Sequence, residues 1–113
     1  MTVQTCLDEL LKDGLDDWVQ AADVATIAQS IGGARTPEEI KDLSLRVIQE
    51  ALERDLMTVG DVTSAGFRPW NVPLAEALER VEHAWGIQGK GPNLGEVCWL
   101  ENTKRGDDRA GGR

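Results

Sequence analysis

Few side chains in this sequence have both the type and the spacing that catalysis requires. His83 is the single histidine, with Glu79 four residues before it and Glu82 adjacent. A histidine paired with a carboxylate can titrate near neutral pH, but no serine or cysteine nucleophile lies near His83 in the sequence. We therefore interpret His83 as a structural or surface residue, and we predict that the chain is not an enzyme.

The two cysteines, Cys6 and Cys98, are the other nitrogen or sulfur ligands that a zinc ion could use. A structural zinc site takes about four such ligands, and the chain offers three at most, so we predict no metal site. In a reducing compartment, two cysteines near opposite ends of a domain are more often free and buried than bridged. Free, buried thiols are the expectation here.

Three aspartates around Gly14 resemble a cation-binding group. An EF-hand loop needs a bidentate acid at its twelfth position, but that position is Val24 when counted from Asp13 and Ile27 when counted from Asp16. Together with Asp17, these residues are better explained as carboxylates that complement a helix start.

A glycine-rich stretch, residues 89–95, contains Lys90 between Gly89 and Gly91. Dinucleotide-binding loops follow a strand and open a helix, so that the amides and the helix dipole meet the phosphate. Here the predicted order is inverted, and we expect a surface loop and no cofactor. A small enzyme or ligand-binding protein that uses residues 86–95 is the third hypothesis for function.

The net charge of −8 is concentrated in the first part of the chain, where residues 1–33 carry six acidic side chains and one basic side chain. The simplest explanation is a solvated surface that keeps a small protein soluble. The alternative is a docking face for a basic partner, whose association the charge would accelerate. The predicted partner-binding residues are Asp8, Glu9, Asp13, Asp16, Asp17, Phe67 and Trp70.

Four tryptophans come from four predicted parts of the chain: Trp18 from the second helix, Trp70 from a proline-containing loop, Trp85 from the fourth helix and Trp99 from the last strand. A shared core is the simplest interpretation. The alternative is that one or two of them are exposed anchors, because tryptophan is enriched at interface hot spots.

Apolar spacing predicts four helices. The first starts after Thr5, and the other three span about 15–31, 37–55 and 74–85. The third is the best defined, because Thr36 can cap it, Pro37 suits its first position and Glu39 can complete a capping box. Short strands are expected around a turn at residues 60–61 and over residues 96–102, with an irregular connection at 67–73. We predict one α+β domain over residues 1–103, predominantly α with a small antiparallel sheet, and a disordered tail over 104–113.

The order of these elements from about Asp17 to Asn102 resembles a winged-helix domain. The resemblance is carried by Val24-Ala25-x-Ile27-Ala28-x-x-Ile31-Gly32, by the capped helix after it, and by residues 56–62 as a first wing strand. It implies that the capped helix would read DNA, with contacts from Arg35, Lys41 and Arg46. The helix at 74–85 departs from the pattern of a simple wing.

Charge on the capped helix opposes that role. Its leading turn presents Glu38 and Glu39, which duplex phosphates would repel, and two or three bases supply little phosphate neutralisation. The leading hypothesis is a small acidic, non-enzymatic protein-binding module: an adaptor, a regulator, or an immunity- or antitoxin-type inhibitor. The alternative is a winged-helix DNA-binding transcription regulator.

The expected partner is another protein with a basic surface, and nucleic acid is not expected to bind. The sequence is also compatible with a homodimer. The first residues lack a basic region followed by an apolar core, and the weakly polar run at 18–31 is interrupted by polar side chains. We therefore predict neither a secretory signal nor a membrane span, and a cytoplasmic location.

Overall fold

The part of the chain described by the computed structural model, residues 2–88 and 97–111, contains five helices and a four-stranded antiparallel sheet. The helices are α1 (Thr2–Asp13), α2 (Ala21–Ser30), α3 (Pro37–Glu53), α4 (Leu74–Gln88) and α5 (Lys104–Gly111). The strands are β1 (Val19–Gln20), β2 (Met57–Thr63), β3 (Gly66–Pro69) and β4 (Trp99–Asn102). The predicted class, α+β and mostly helical with a small antiparallel sheet, is confirmed.

The strand order is β1-β4-β2-β3, and the register divides the side chains between two faces of the sheet. Leu100 lies opposite Val19 on one side and Val59 on the other, and all three are buried. Because successive side chains alternate between faces, Trp99 lies on the opposite face. Val62 and Phe67, which pair across the β2–β3 hairpin, share that second face.

The core forms between the first face of the sheet and the apolar stripes of the helices. Leu7, Leu10 and Leu11 of α1 are fully buried, as their spacing predicts. Burying a side chain of this size stabilises a fold by roughly 1.5–3 kcal/mol. The other helices contribute Val24, Ala25, Ile27, Val47, Ile48, Ala51, Ala77, Val81 and Trp85.

The start of α3 has the predicted capping box. Thr36 Oγ1 accepts a hydrogen bond from the Glu39 amide at 3.1 Å, and Glu39 Oε1 accepts one from the Thr36 amide at 3.3 Å. The Arg35 amide also donates to Glu39 Oε1, at 2.9 Å. Both bonds lower the pKa of Glu39, and the bond from the Arg35 amide has the larger effect.

The predicted helix over residues 15–31 is too long at its N-terminus. Residues 15–18 are not helical, β1 occupies Val19–Gln20, and α2 begins at Ala21. The Gln20 amide donates to Asp23 Oδ2 at 2.9 Å, which helps to fix the start of α2 at this point. The prediction failed because β1 exists only through its pairing with β4, a contact across most of the chain.

The turn predicted at residues 60–61 is also wrong, since β2 runs unbroken to Thr63 and the hairpin turns at Ser64 and Ala65. Phe67 lies in β3 rather than in an irregular connection. Gly60 is needed for close packing, not for a turn. A Cβ atom there would collide with the Arg68 carbonyl of β3.

The predicted disordered tail is corrected over residues 104–111, which form α5 against α1. Thr103 Oγ1 accepts a hydrogen bond from the Gly106 amide at 3.1 Å, and Arg109 Nε forms an ion pair with Asp8 Oδ1 at 3.0 Å. Gly106 is buried where its backbone passes the Leu56 carbonyl. Because α5 is held by polar and close-packing contacts, its sequence shows no apolar periodicity from which a helix could be predicted.

Two other element boundaries differ from the prediction. Helix α4 continues through Gly86, the predicted stop, to Gln88. The last strand, predicted over 96–102, is shorter and spans Trp99–Asn102. The glycine-rich loop predicted at 89–95 lies outside the described residues, as does Glu96.

Candidate functional site

An aromatic cluster lies on the second face of the sheet, outside the hydrophobic core. We call this face, formed by Trp18, Phe67, Trp99 and Val62, the aromatic face. Each of these side chains is half-buried, and none belongs to the core cluster or packs against it. The rings of Trp18 and Phe67 stack with their centroids 6.3 Å apart and their planes inclined by 29°.

Trp18 is held in place by two carboxylates. Its indole Nε1–H donates to Glu101 Oε2 at 3.0 Å, and its backbone amide donates to Asp17 Oδ1 at 2.7 Å. Phe67 and Glu101 therefore restrain the Trp18 side chain, while the bond to Asp17 restrains its backbone. A surface tryptophan in this state loses little conformational freedom when a ligand contacts it.

An acidic cleft of about 360 Å³ opens beside Trp18. Its lining residues are Gly14, Leu15, Asp16, Asp17, Trp18, Glu101, Asn102 and Asp107. None of these is a lysine, arginine or histidine. The ion pairs within residues 2–88 and 97–111 use other carboxylates, namely Asp8, Glu50, Asp61 and Asp108. The four carboxylates of the acidic cleft therefore have no cationic partner in the described part of the chain.

Asn102 joins the acidic cleft to the first and last helices. Its Nδ2 donates to the Leu11 carbonyl at 2.9 Å and to Asp107 Oδ1 at 3.1 Å. A Cβ atom on Gly14 would collide with the Asn102 side chain. The cleft is therefore built by contacts between residues near both ends of the chain.

The predicted acidic residues divide into two groups. Asp8 is paired with Arg109, whereas Asp13 lies at the end of α1 among other carboxylates. The pKa of Asp13 is raised, first by burial and then by repulsion from Glu9, Asp23 and Asp16. The structure thus brings Glu9, Asp13 and Asp16 into one negative field and leaves Asp8 neutralised.

The interpretation of Asp16 and Asp17 as helix-start carboxylates is wrong. Both lie in the bend before β1, and the carboxylate at the start of α2 belongs to Asp23. They line the acidic cleft instead.

The two predicted loop aromatics are separated. Phe67 is part of the aromatic face, whereas Trp70 packs against the core with the Arg80 guanidinium 3.9 Å from its ring centroid. The interpretation of four tryptophans as one shared core holds for Trp85, which is buried. Trp18 and Trp99 lie outside the core, as the alternative interpretation allows.

Glu101 and Asp107 belong to the site but were not predicted for it. Strand alternation places Glu101 on the same face as Trp99, and this signal was present in the sequence. Asp107 gave no such signal, because its helix was predicted as a tail. Trp18 was singled out only as one of four tryptophans, and the helix assigned to it concealed its position.

The remaining chemical candidates from the sequence are the two cysteines and the single histidine. Cys6 and Cys98 are free and buried, as predicted. Burial raises the pKa of both thiols, that of Cys98 to about 12, which makes them poor nucleophiles at neutral pH. His83 lies in an exposed depression with Lys41, Glu79, Glu82 and Gly86. Within the described ranges, no three His, Cys, Asp or Glu side chains are grouped to hold a metal ion.

Comparisons of the chain with protein-family models, with curated proteins and with solved structures found no match of any of the three kinds. Of the helices in residues 2–88 and 97–111, none has both the length and the apolar content needed to cross a bilayer.

Proposed function

We propose that this chain is a small acidic, non-enzymatic protein-binding module, and that it binds a partner with a basic surface through the acidic cleft and the aromatic face. The observation that carries the proposal is the arrangement around Trp18. A restrained aromatic side chain adjoins four carboxylates that have no cationic partner among the described residues. Tryptophan anchors commonly dominate binding energy, and unpaired charges steer association.

The wider charge distribution also supports the binding of a basic partner at the acidic cleft. Asp13 is repelled by Glu9, Asp23 and Asp16, of which Asp16 lines the cleft, and the net charge of −8 gives the whole molecule a negative field. Such a field accelerates the encounter with a basic protein and repels nucleic acid. The free, buried thiols support a cytoplasmic location, where disulfides are rare. The class of module, whether adaptor, regulator or inhibitor, depends on the identity of the partner.

The test is affinity capture from the native cell extract with three versions of the protein. The first is the wild type, and the second combines Asp16→Asn, Asp17→Asn and Glu101→Gln. The control combines Glu38→Gln, Asp42→Asn and Glu82→Gln, which changes the net charge equally on exposed side chains away from the cleft. Asparagine at 17 and glutamine at 101 keep oxygen acceptors for the two bonds to Trp18.

We expect a basic protein to be captured by the wild type and by the control, and to be lost from the cleft variant. Its association rate with the wild type should fall as salt increases, because salt screens exposed charges. A captured protein that binds all three versions equally would contradict the proposed surface. A complex that contains only a second copy of the chain would replace the basic partner with a homodimer.

A further inference from the structure

Elsewhere in the molecule, an arginine of the chain itself contacts both a tryptophan ring and a carboxylate. The Arg80 guanidinium lies over the Trp70 ring at 3.9 Å, and Arg80 Nη2 is 3.9 Å from Asp61 Oδ2. Attraction to the ring and to the carboxylate therefore acts on one side chain. Trp18 and Glu101 also combine a tryptophan with a carboxylate, but among the residues that the structure describes no basic side chain lines their cleft.

The polar atoms around Trp18 suit a guanidinium better than an ammonium group. Glu101 uses Oε2 for the indole, while its Oε1 and the carboxylate of Asp16 form no hydrogen bond within the described part of the chain. A guanidinium can donate to two carboxylate oxygens at once and can stack on an indole, whereas an ammonium group is a compact point charge. The open cleft of about 360 Å³ can admit a long side chain from solvent.

We propose that the acidic cleft binds an arginine side chain of the partner, with the guanidinium against Trp18 and between the carboxylates of Glu101 and Asp16. This inference rests on the proposed function, because it names the group that the partner inserts. The aromatic face then receives the residues that flank the arginine. A lysine at the same position would keep the charge but would lose the stacking and the two-point hydrogen bond.

The test uses three acetylated peptide amides, tri-arginine, tri-lysine and tri-citrulline, titrated into the full-length protein. The readout is the nuclear magnetic resonance signal of the Trp18 indole Nε1–H, which Trp18→Phe identifies by its loss. We expect tri-arginine to shift this signal and to bind roughly fivefold or more tighter than tri-lysine, because stacking on tryptophan favours the guanidinium. Tri-citrulline, which has a similar shape without the charge, should leave the signal unchanged.

Glu101→Gln should weaken tri-arginine binding, whereas Glu82→Gln, an exposed control, should not. Denaturation curves of both variants show whether the fold is intact; if Glu101→Gln does not fold, Asp16→Asn replaces it. Equal affinities for the arginine and lysine peptides would overturn the inference. A Trp18 signal that tri-arginine shifts equally in the wild type and in the Glu101→Gln variant (or its Asp16→Asn replacement) would also overturn it. If the peptide test fails but capture of the partner still requires the cleft carboxylates, the arginine inference is wrong and the proposed function stands. Capture that ignores those carboxylates refutes the proposed function itself.

Discussion

At the scale of single residues, Thr36 is the clearest determinant of local structure. Its side chain accepts the Glu39 amide at 3.1 Å, an amide that otherwise has no partner at the start of α3. We expect Thr36→Ala to lower the free energy of unfolding by about 1 kcal/mol. Urea denaturation followed by circular dichroism measures this change.

Thr26→Ala is the matched control for Thr36→Ala. Thr26 lies exposed inside α2, where its hydroxyl donates to the Ala22 carbonyl at 3.0 Å. Alanine has the higher helix propensity at such a position, so the control should be neutral or slightly stabilising. Equal destabilisation by both substitutions would show that the cap has no specific contribution.

The carboxylate of the same capping box gives α3 a dependence on pH. Because the pKa of Glu39 is lowered by the Arg35 and Thr36 amides, its ionised form is favoured in the folded protein. Its contribution is therefore present above the ordinary value of 4.5 and is lost as the pH falls through the lowered value. Acidification should thus weaken the cap in the wild type.

At the scale of elements, two glycines predict opposite responses to alanine. Gly106 passes the Leu56 carbonyl so closely that a Cβ atom would displace α5, whereas a Cβ atom on Gly86 of α4 would meet nothing within 4 Å. We expect Gly106→Ala to destabilise the protein by roughly 1–3 kcal/mol. Gly86→Ala should stabilise it by up to about 1 kcal/mol, because alanine is the better helix former.

Urea denaturation of the two variants compares these effects directly. Loss of stability in both would mean that α4 ends before Gly86, as the sequence alone predicts. No change in either would mean that α5 does not pack on Leu56. The pair therefore tests two places where the structure departs from the sequence-based prediction, the end of α4 and the presence of α5.

At the scale of the whole molecule, the charge on α3 gives the two leading hypotheses different expectations for DNA binding. Its solvent-exposed side chains include Glu38, Glu39 and Asp42, against the single exposed base Arg46. Binding to duplex DNA depends on neutralising phosphates. We therefore expect duplex DNA to bind no more tightly than heparin at physiological salt, as measured by fluorescence anisotropy. Sequence-selective binding in the nanomolar range that requires Arg35 or Arg46 would instead support the winged-helix regulator.

The sequence by itself determined those features that depend on neighbours within one helical turn. The start of α3 followed from Thr36, Pro37 and Glu39, and the buried stripe of α1 followed from its leucine spacing. The start of α3 rests on capping, and the stripe of α1 rests on helical periodicity. A few adjacent residues specify each of them completely. The class of fold follows from the sum of such local signals.

Only the tertiary structure decided where the candidate site lies. Trp18 meets Glu101 across a separation of 83 residues, and Asp107 reaches the cleft because α5 packs on α1. Strand β1 and helix α5 are held by pairing, by an ion pair and by a glycine contact, none of which produces a periodic apolar pattern. The predicted helix over 15–31 included residues 15–18, and the predicted tail covered α5. These predictions therefore hid the two segments that, with β4, form the acidic cleft.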